Sequence, residues 1–190
     1  EVLVALSIMA VMAALTWRGI DGMARAQAAT QRYTDDVLTL QAGLTQWRAD
    51  LDAMMTWPNT DGSNPAGPAG QRSLAWDGSV LRITRMLTDT PAAGLRVAAW
   101  SRRAGDGQWL RWQSAPVRSH HAWLDAWDAA ARWAQNGAPP GPQPGGAQAV
   151  ALLAALDWQL HYYRANAWTN PLSSASAGLG DTHALPDGVR

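Results

Sequence analysis

Residues 1–17 read EVLVALSIMAVMAALTW, a single carboxylate at the head of an apolar run. From Val2 to Trp17 no residue is charged, and the only polar ones, Ser7 and Thr16, are short enough to bond back to a helix carbonyl. As a helix the run rises roughly 24 Å, slightly short of a hydrocarbon core of about 30 Å. Membrane span and buried core helix are therefore both open at this point. Beyond Arg18, Gly19 and Asp21 the pattern becomes amphipathic with no Pro or turn cluster between, so one long helix is expected, apolar first and two-faced afterwards.

Outward from that run, the seam of the two-faced part is Met23, Ala26, Thr30, Tyr33, Val37, Leu40, Leu44, Trp47, Leu51 and Met54, in steps of three and four. Such a seam needs cover, from a coiled-coil partner or from the sheet of its own domain. Little complementary charge flanks it and a globular domain follows at once, which favours the sheet. Gly19, Gly22 and Gly43 are positions where the helix is expected to bend, and Pro58 is expected to end it.

PNTDGSNPAGPAGQ, residues 58–71, reads as an exposed connector. Asp61, Ser63 and Asn64 near Gly62 offer oxygens, but too few carboxylates for a Ca²⁺ loop. SLAW, SVLRITRML, GLRVAAWS and QWLRWQSA then read as strands separated by Asp-Gly, Thr-Pro and Gly-Asp-Gly turns, the last turn closing an antiparallel hairpin. Ser119 is placed to cap a helix carrying Trp123, Leu124, Trp127, Ala131 and Ala134, ending at Asn136-Gly137. Residues 137–147 read as a low-complexity loop, Asp157–Tyr163 as a strand with one buried face, 170–182 as a loop, and Leu185–Arg190 as a further extended piece.

Composition sets few limits. Arginine and acidic residues balance at fifteen each with no lysine, so nothing marks a nucleic-acid surface. The absence of cysteine excludes disulfides and thiolate chemistry without naming a compartment. Twelve Trp and no Phe suggest that Trp fills the aromatic core positions. His120, His121, His161 and His183 form no metal-ligand spacing, Asp125 and Asp128 read as a wet helix face, and no nucleophile elbow or phosphate cradle is present. Neither catalytic residue, cofactor nor metal is expected.

A glutamate heading the uninterrupted apolar segment EVLVALSIMAVMAAL resembles the mature N-terminus of type IV pilins and of the pseudopilins of type II secretion. In that family the glutamate is the fifth residue after prepilin-peptidase cleavage and follows a methylated Phe. The resemblance thus implies that this sequence begins at that glutamate, with a few apolar residues and a leader before it. The stretches LRITRMLTDTPAAGLRVAAWSRRAGDGQWLRWQSAPV, LDWQLHYYRANAWTNPL and LPDGVR sharpen the likeness to the J-type minor pseudopilin, and the insert at 137–147 departs from its compact pattern.

The fold this implies is α+β and pilin-like, a long N-terminal helix packed on antiparallel β-sheet with one further helix near 119–136. Its expected divisions are a transmembrane half-helix at 1–22, an amphipathic half at 23–57 packing on the domain, and a periplasmic β-rich domain at 58–190. The resemblance implies a non-catalytic subunit of the pseudopilus tip, anchored by a single pass in the inner membrane. Its partners would be the I-, K- and H-type minor pseudopilins, the major pseudopilin and the inner-membrane assembly platform, with prepilin peptidase acting during maturation. Glu1 is the expected assembly residue, because a lone carboxylate in a bilayer interior costs a few kcal/mol and the family pairs it with a neighbouring subunit's N-terminal amine. Asp35, Asp36, Arg48 and Asp52, with any Trp of Trp123 and Trp127 that the core leaves exposed, are the candidate interface residues. A minor pilin of a type IV pilus or DNA-uptake fibre is the alternative, and a membrane-anchored enzyme the third class.

Overall fold

The computed structural model describes residues 1–55, 73–87, 94–164, 166–172 and 186–189. Two compact units divide the chain, residues 1–42 and residues 43–190. The first unit is helical from Val2 onward, and the helix, α1, runs without interruption from Val2 to Asp52. Ser7 Oγ donates to Leu3 O at 2.8 Å and Thr16 Oγ1 to Met12 O at 2.9 Å, so the polar groups of the apolar run are satisfied within the helix. Gly19 and Gly22 lie inside continuous helix and not at a break.

The second unit is built on a six-stranded antiparallel sheet. Its strands are β1 (Leu74–Trp76), β2 (Val80–Met86), β3 (Leu95–Arg102), β4 (Gln108–Gln113), β5 (Gly141–Gln143) and β6 (Ala147–Ala154), ordered β1-β2-β3-β4-β6-β5. Four of these match the expected strands, and the β3–β4 hairpin turns where Gly107 adopts φ 69°. A second sheet joins β7 (Tyr162–Arg164), β8 (Ala167–Thr169) and β9 (Gly188–Val189) in the order β8-β7-β9.

Helix α2 (His120–Gln135) connects β4 to β5, and Ser119 caps it as expected, its Oγ accepting from Ala122 N at 3.2 Å. Against one face of the sheet α2 buries Trp123, Trp127, Ala130 and Trp133, which meet Val97, Ala99, Leu110 and Trp112. The other face carries Leu81, Ile83, Trp100 and Trp109, packed with Trp47, Leu51 and Met54 from the end of α1 and with Trp76 and Trp158. Both faces are thus covered, which explains why β3 is buried at nearly every residue and shows little alternation. Gly43 lets α1 come close: a Cβ there would stand 3.3 Å from the ring of Trp109.

Within the second unit the seam of α1 packs on the core at Trp47, Leu51 and Met54. Three expectations need correction. The helix stops at Asp52, short of the expected 57, because the next backbone joins the sheet. Met55 N donates to Thr84 O and Met86 N to Ala53 O, occupying the edge of β2 that β1 leaves open. The stretch 137–147 is not all loop, since β5 pairs there with β6. The strand expected over 157–163 is ordered as a strand only from Tyr162. Before it, the Asp157 carboxylate takes Trp158 N at 2.7 Å and Gln159 Nε2 at 2.9 Å, and the Trp158 ring lies 4.9 Å from that of Trp76. Local side-chain bonds and aromatic packing displace the ladder there. The expectations for Pro58, for the connector 58–71 and for residues 173–185 fall outside the described residues.

Candidate functional site

Glu1 heads α1, its carbonyl accepting from Ala5 N at 3.2 Å, and it is the only glutamate in the chain. Behind it the apolar residues are exposed, Leu3 at 80%, Met9 at 69% and Trp17 at 74% among them. Leaving each such side chain in water costs about 1.5–3 kcal/mol relative to burial, so a continuous exposed stretch of this kind is suited to apolar surroundings. Helix α1 is long and apolar enough to cross a membrane.

The proposed interface residues separate into two groups. Asp35, Asp36, Arg48 and Asp52 are exposed and remain available to a partner. Trp123 and Trp127 do not, because both are wholly buried between α2 and the sheet. Their positions are fixed by specific contacts: Trp123 Nε1 donates to Thr84 Oγ1 at 2.9 Å, and the Arg82 guanidinium lies 5.2 Å over the Trp127 ring. Trp133 is also core, so α2 offers no exposed Trp for docking.

A residue that the sequence reading passed over organises the end of α1. Asp50 is fully buried and faces the sheet. Arg111 holds it in a two-toothed grip, Nε to Oδ2 at 2.7 Å and Nη2 to Oδ1 at 2.9 Å. Arg85 Nη1 also bonds Oδ1, Trp100 Nε1 donates to Oδ2 at 2.9 Å, and Gln46 Nε2 donates to Oδ1 at 3.0 Å. One carboxylate thereby ties the last turns of α1 to β2, β3 and β4. Ala98, in the register row between the Arg85 and Arg111 rows, is small enough to leave room for it. The signal in the sequence was a polar residue on the apolar stripe, three after Trp47 and four before Met54.

Among the described residues two carboxylates have lowered pKa values, and both shape turns. Hydrogen bonding from Arg103 holds Asp106 down to about 2, in the β3–β4 turn. Burial acts to raise Asp77, but bonds from the Val80 and Ser79 backbone and the Ser79 hydroxyl outweigh it and leave its pKa below the ordinary value. Among the described residues no group of three or more His, Cys, Asp or Glu side chains is placed to hold a metal ion.

Compared with known proteins, the chain has no match among family models, curated proteins or solved structures.

Proposed function

We propose that this chain is a minor pseudopilin of the type II secretion class, of the J type, a non-catalytic subunit that helps start a fibre at its tip. The observation that carries the reading is the exposed apolar stretch behind Glu1, continuous in one helix with turns that are locked onto an antiparallel sheet. Such a chain has an apolar end suited to lipid or to a bundle of like helices, and a folded domain suited to choosing neighbours. On this reading α1 waits in the inner membrane with its domain in the periplasm. Glu1 then pairs with the N-terminal amine of an adjacent subunit as the helix passes from lipid into the fibre, where the pairing offsets the cost of a carboxylate in apolar surroundings.

Similar apolar helices cannot distinguish subunits, so selection falls to the domain and to the polar side of α1, around Asp35, Asp36, Arg48 and Asp52. Light scattering tests this with residues 23–190 and the matching soluble domains of the I- and K-type pseudopilins from the same system. A species with the mass of all three is expected. Three unassociated monomers at high concentration would refute the tip role and favour a minor pilin of a type IV pilus or DNA-uptake fibre.

A further inference from the structure

Beside the face that α2 buries, a groove stays open. Two adjoining hollows, of about 400 and 240 Å³, lie between α2 and the segments that follow β4 and α2. Ala122, Ala126 and Ala129 succeed one another at helical spacing along one wall, and Pro144 stands on the other. Trp112 and Arg132 border both hollows. The short alanine side chains leave the space. From Ala122 to Asn136 the helix rises roughly 21 Å, the length of about six extended residues, so the groove suits a stretch of peptide better than a compact molecule.

Its polar groups are unbalanced toward donors. The Pro139 carbonyl already accepts from Trp133 Nε1 and Gln143 Nε2, and the Ala115 carbonyl from Ser114 Oγ. Among the described residues neither the Trp112 indole N–H nor the Arg132 guanidinium has an acceptor. Both can be reached: Arg132 is exposed, and the Trp112 N–H is not sealed from solvent as those of Trp109 and Trp127 are. The carboxylate on the α2 wall, Asp125, lies 3.4 Å from His121 and stands seven residues before Arg132, about 10 Å along the helix. An occupant must therefore bring acceptors and demand few in return. Proline meets that condition, since it supplies a carbonyl without an N–H and keeps a chain extended without internal hydrogen bonds. A carboxylate matches the guanidinium.

We propose that this groove binds an extended, proline-containing segment of a partner protein, one carbonyl of which accepts from the Trp112 N–H while an acidic side chain pairs with Arg132 at the end away from Asp125. Trp-lined grooves that take proline-containing segments work by the same physics. The inference rests on the second unit alone and goes beyond the assembly reading.

The test is NMR of the tryptophan indole N–H groups in the full chain, ¹⁵N-labelled at tryptophan, in detergent micelles. The probe is the peptide acetyl-Ala-Pro-Pro-Asp-Pro-Pro-Ala-amide, titrated beside its twin with Asn in place of Asp at constant ionic strength. A saturable shift of the Trp112 signal is expected with the acidic peptide. The Asn twin, and Arg132→Gln with the acidic peptide, should each bind about tenfold or more weakly, the share of one charge-assisted hydrogen bond. Ala129→Leu should fill the groove and abolish saturation, while the Trp100 and Trp109 signals, on the other face of the sheet, keep their positions and report an intact fold. A shift that never saturates, equal affinity for the two peptides, or unchanged binding by Arg132→Gln or Ala129→Leu would overturn the proposal. Asp61 and Asp89 also stand near prolines in this chain. Asp61→Asn or Asp89→Asn should leave the Trp112 signal in place before any peptide is added. Movement of that signal would show the chain filling its own groove and would likewise overturn the proposal.

Discussion

Two stretches of α1 reverse the usual rule. Val2–Trp17 carries no charge and is exposed, while Gly43–Asp52 contains an arginine and two aspartates yet buries Gly43 and Asp50. The difference lies in the kind of contact each stretch makes. The early stretch presents only alkyl groups, Met9, Met12, Trp17 and two self-satisfied hydroxyls, so any apolar surroundings will serve it. The late stretch places one carboxylate among two guanidiniums, an indole and an amide at fixed distances, and only this sheet serves it. A membrane or a bundle of like helices suits the first, and a single folded domain the second.

The largest effect on this contrast is expected from Asp50→Ala. Removing the carboxylate leaves Arg85, Arg111 and the Trp100 N–H without their shared acceptor, and breaking a buried ion pair in this way costs about 3–5 kcal/mol. Urea denaturation of residues 23–190 measures it. A loss below about 1 kcal/mol would mean that the cluster behaves like a surface pair and does not lock the helix. Gly43→Leu comes next. The added side chain must enter where a Cβ is already 3.3 Å from Trp109 and 3.5 Å from Leu152, and overpacking of this kind costs about 1–3 kcal/mol. In the full chain in detergent micelles, the same change at Gly22, where nothing lies within 4 Å, should leave the midpoint of the domain unmoved, which separates packing from helix propensity.

The smallest effect is expected from Asp106→Asn in the β3–β4 turn. The folded pKa of Asp106, about 2, lies below its ordinary value of 3.8, so the ionised group stabilises the fold above pH 4 and loses that contribution as pH falls toward 2. The variant should therefore melt slightly lower than the parent at neutral pH, and the gap should close as pH falls through 2. A difference that persists unchanged at pH 2 would assign the effect to packing and not to the charge.

Much of this architecture was legible because local signals agreed with the global fold. Ser119 before the Trp-rich stretch, Gly105-Asp106-Gly107 between two apolar runs and the short strands each carry their own turn or cap chemistry. What escaped reading depends on partners distant in sequence. Asp50 meets Arg85 and Arg111 from 35 and 61 residues away, and nothing near it in the chain announces that pairing. The early stop of α1 has the same origin, since Thr84 and Met86 of β2 take up the backbone of Ala53 and Met55 and displace the turn of helix that Pro58 would otherwise have ended. Trp123 and Trp127 looked equally suited to an interface or a core, because an amphipathic helix does not say which surface its apolar face will meet.

Glu1 stands at the boundary between these two kinds of contact, a charge placed among groups that otherwise need no specific partner. For the proposed pseudopilin role, the direct test is the chromosomal gene altered to encode Glu1→Ala, with type II export, the activity which that proposal assigns, measured beside the unaltered strain. The variant is expected to accumulate normally in the inner membrane, to keep the same domain melting temperature and to lose export. Undiminished export by Glu1→Ala would contradict the assembly role of α1.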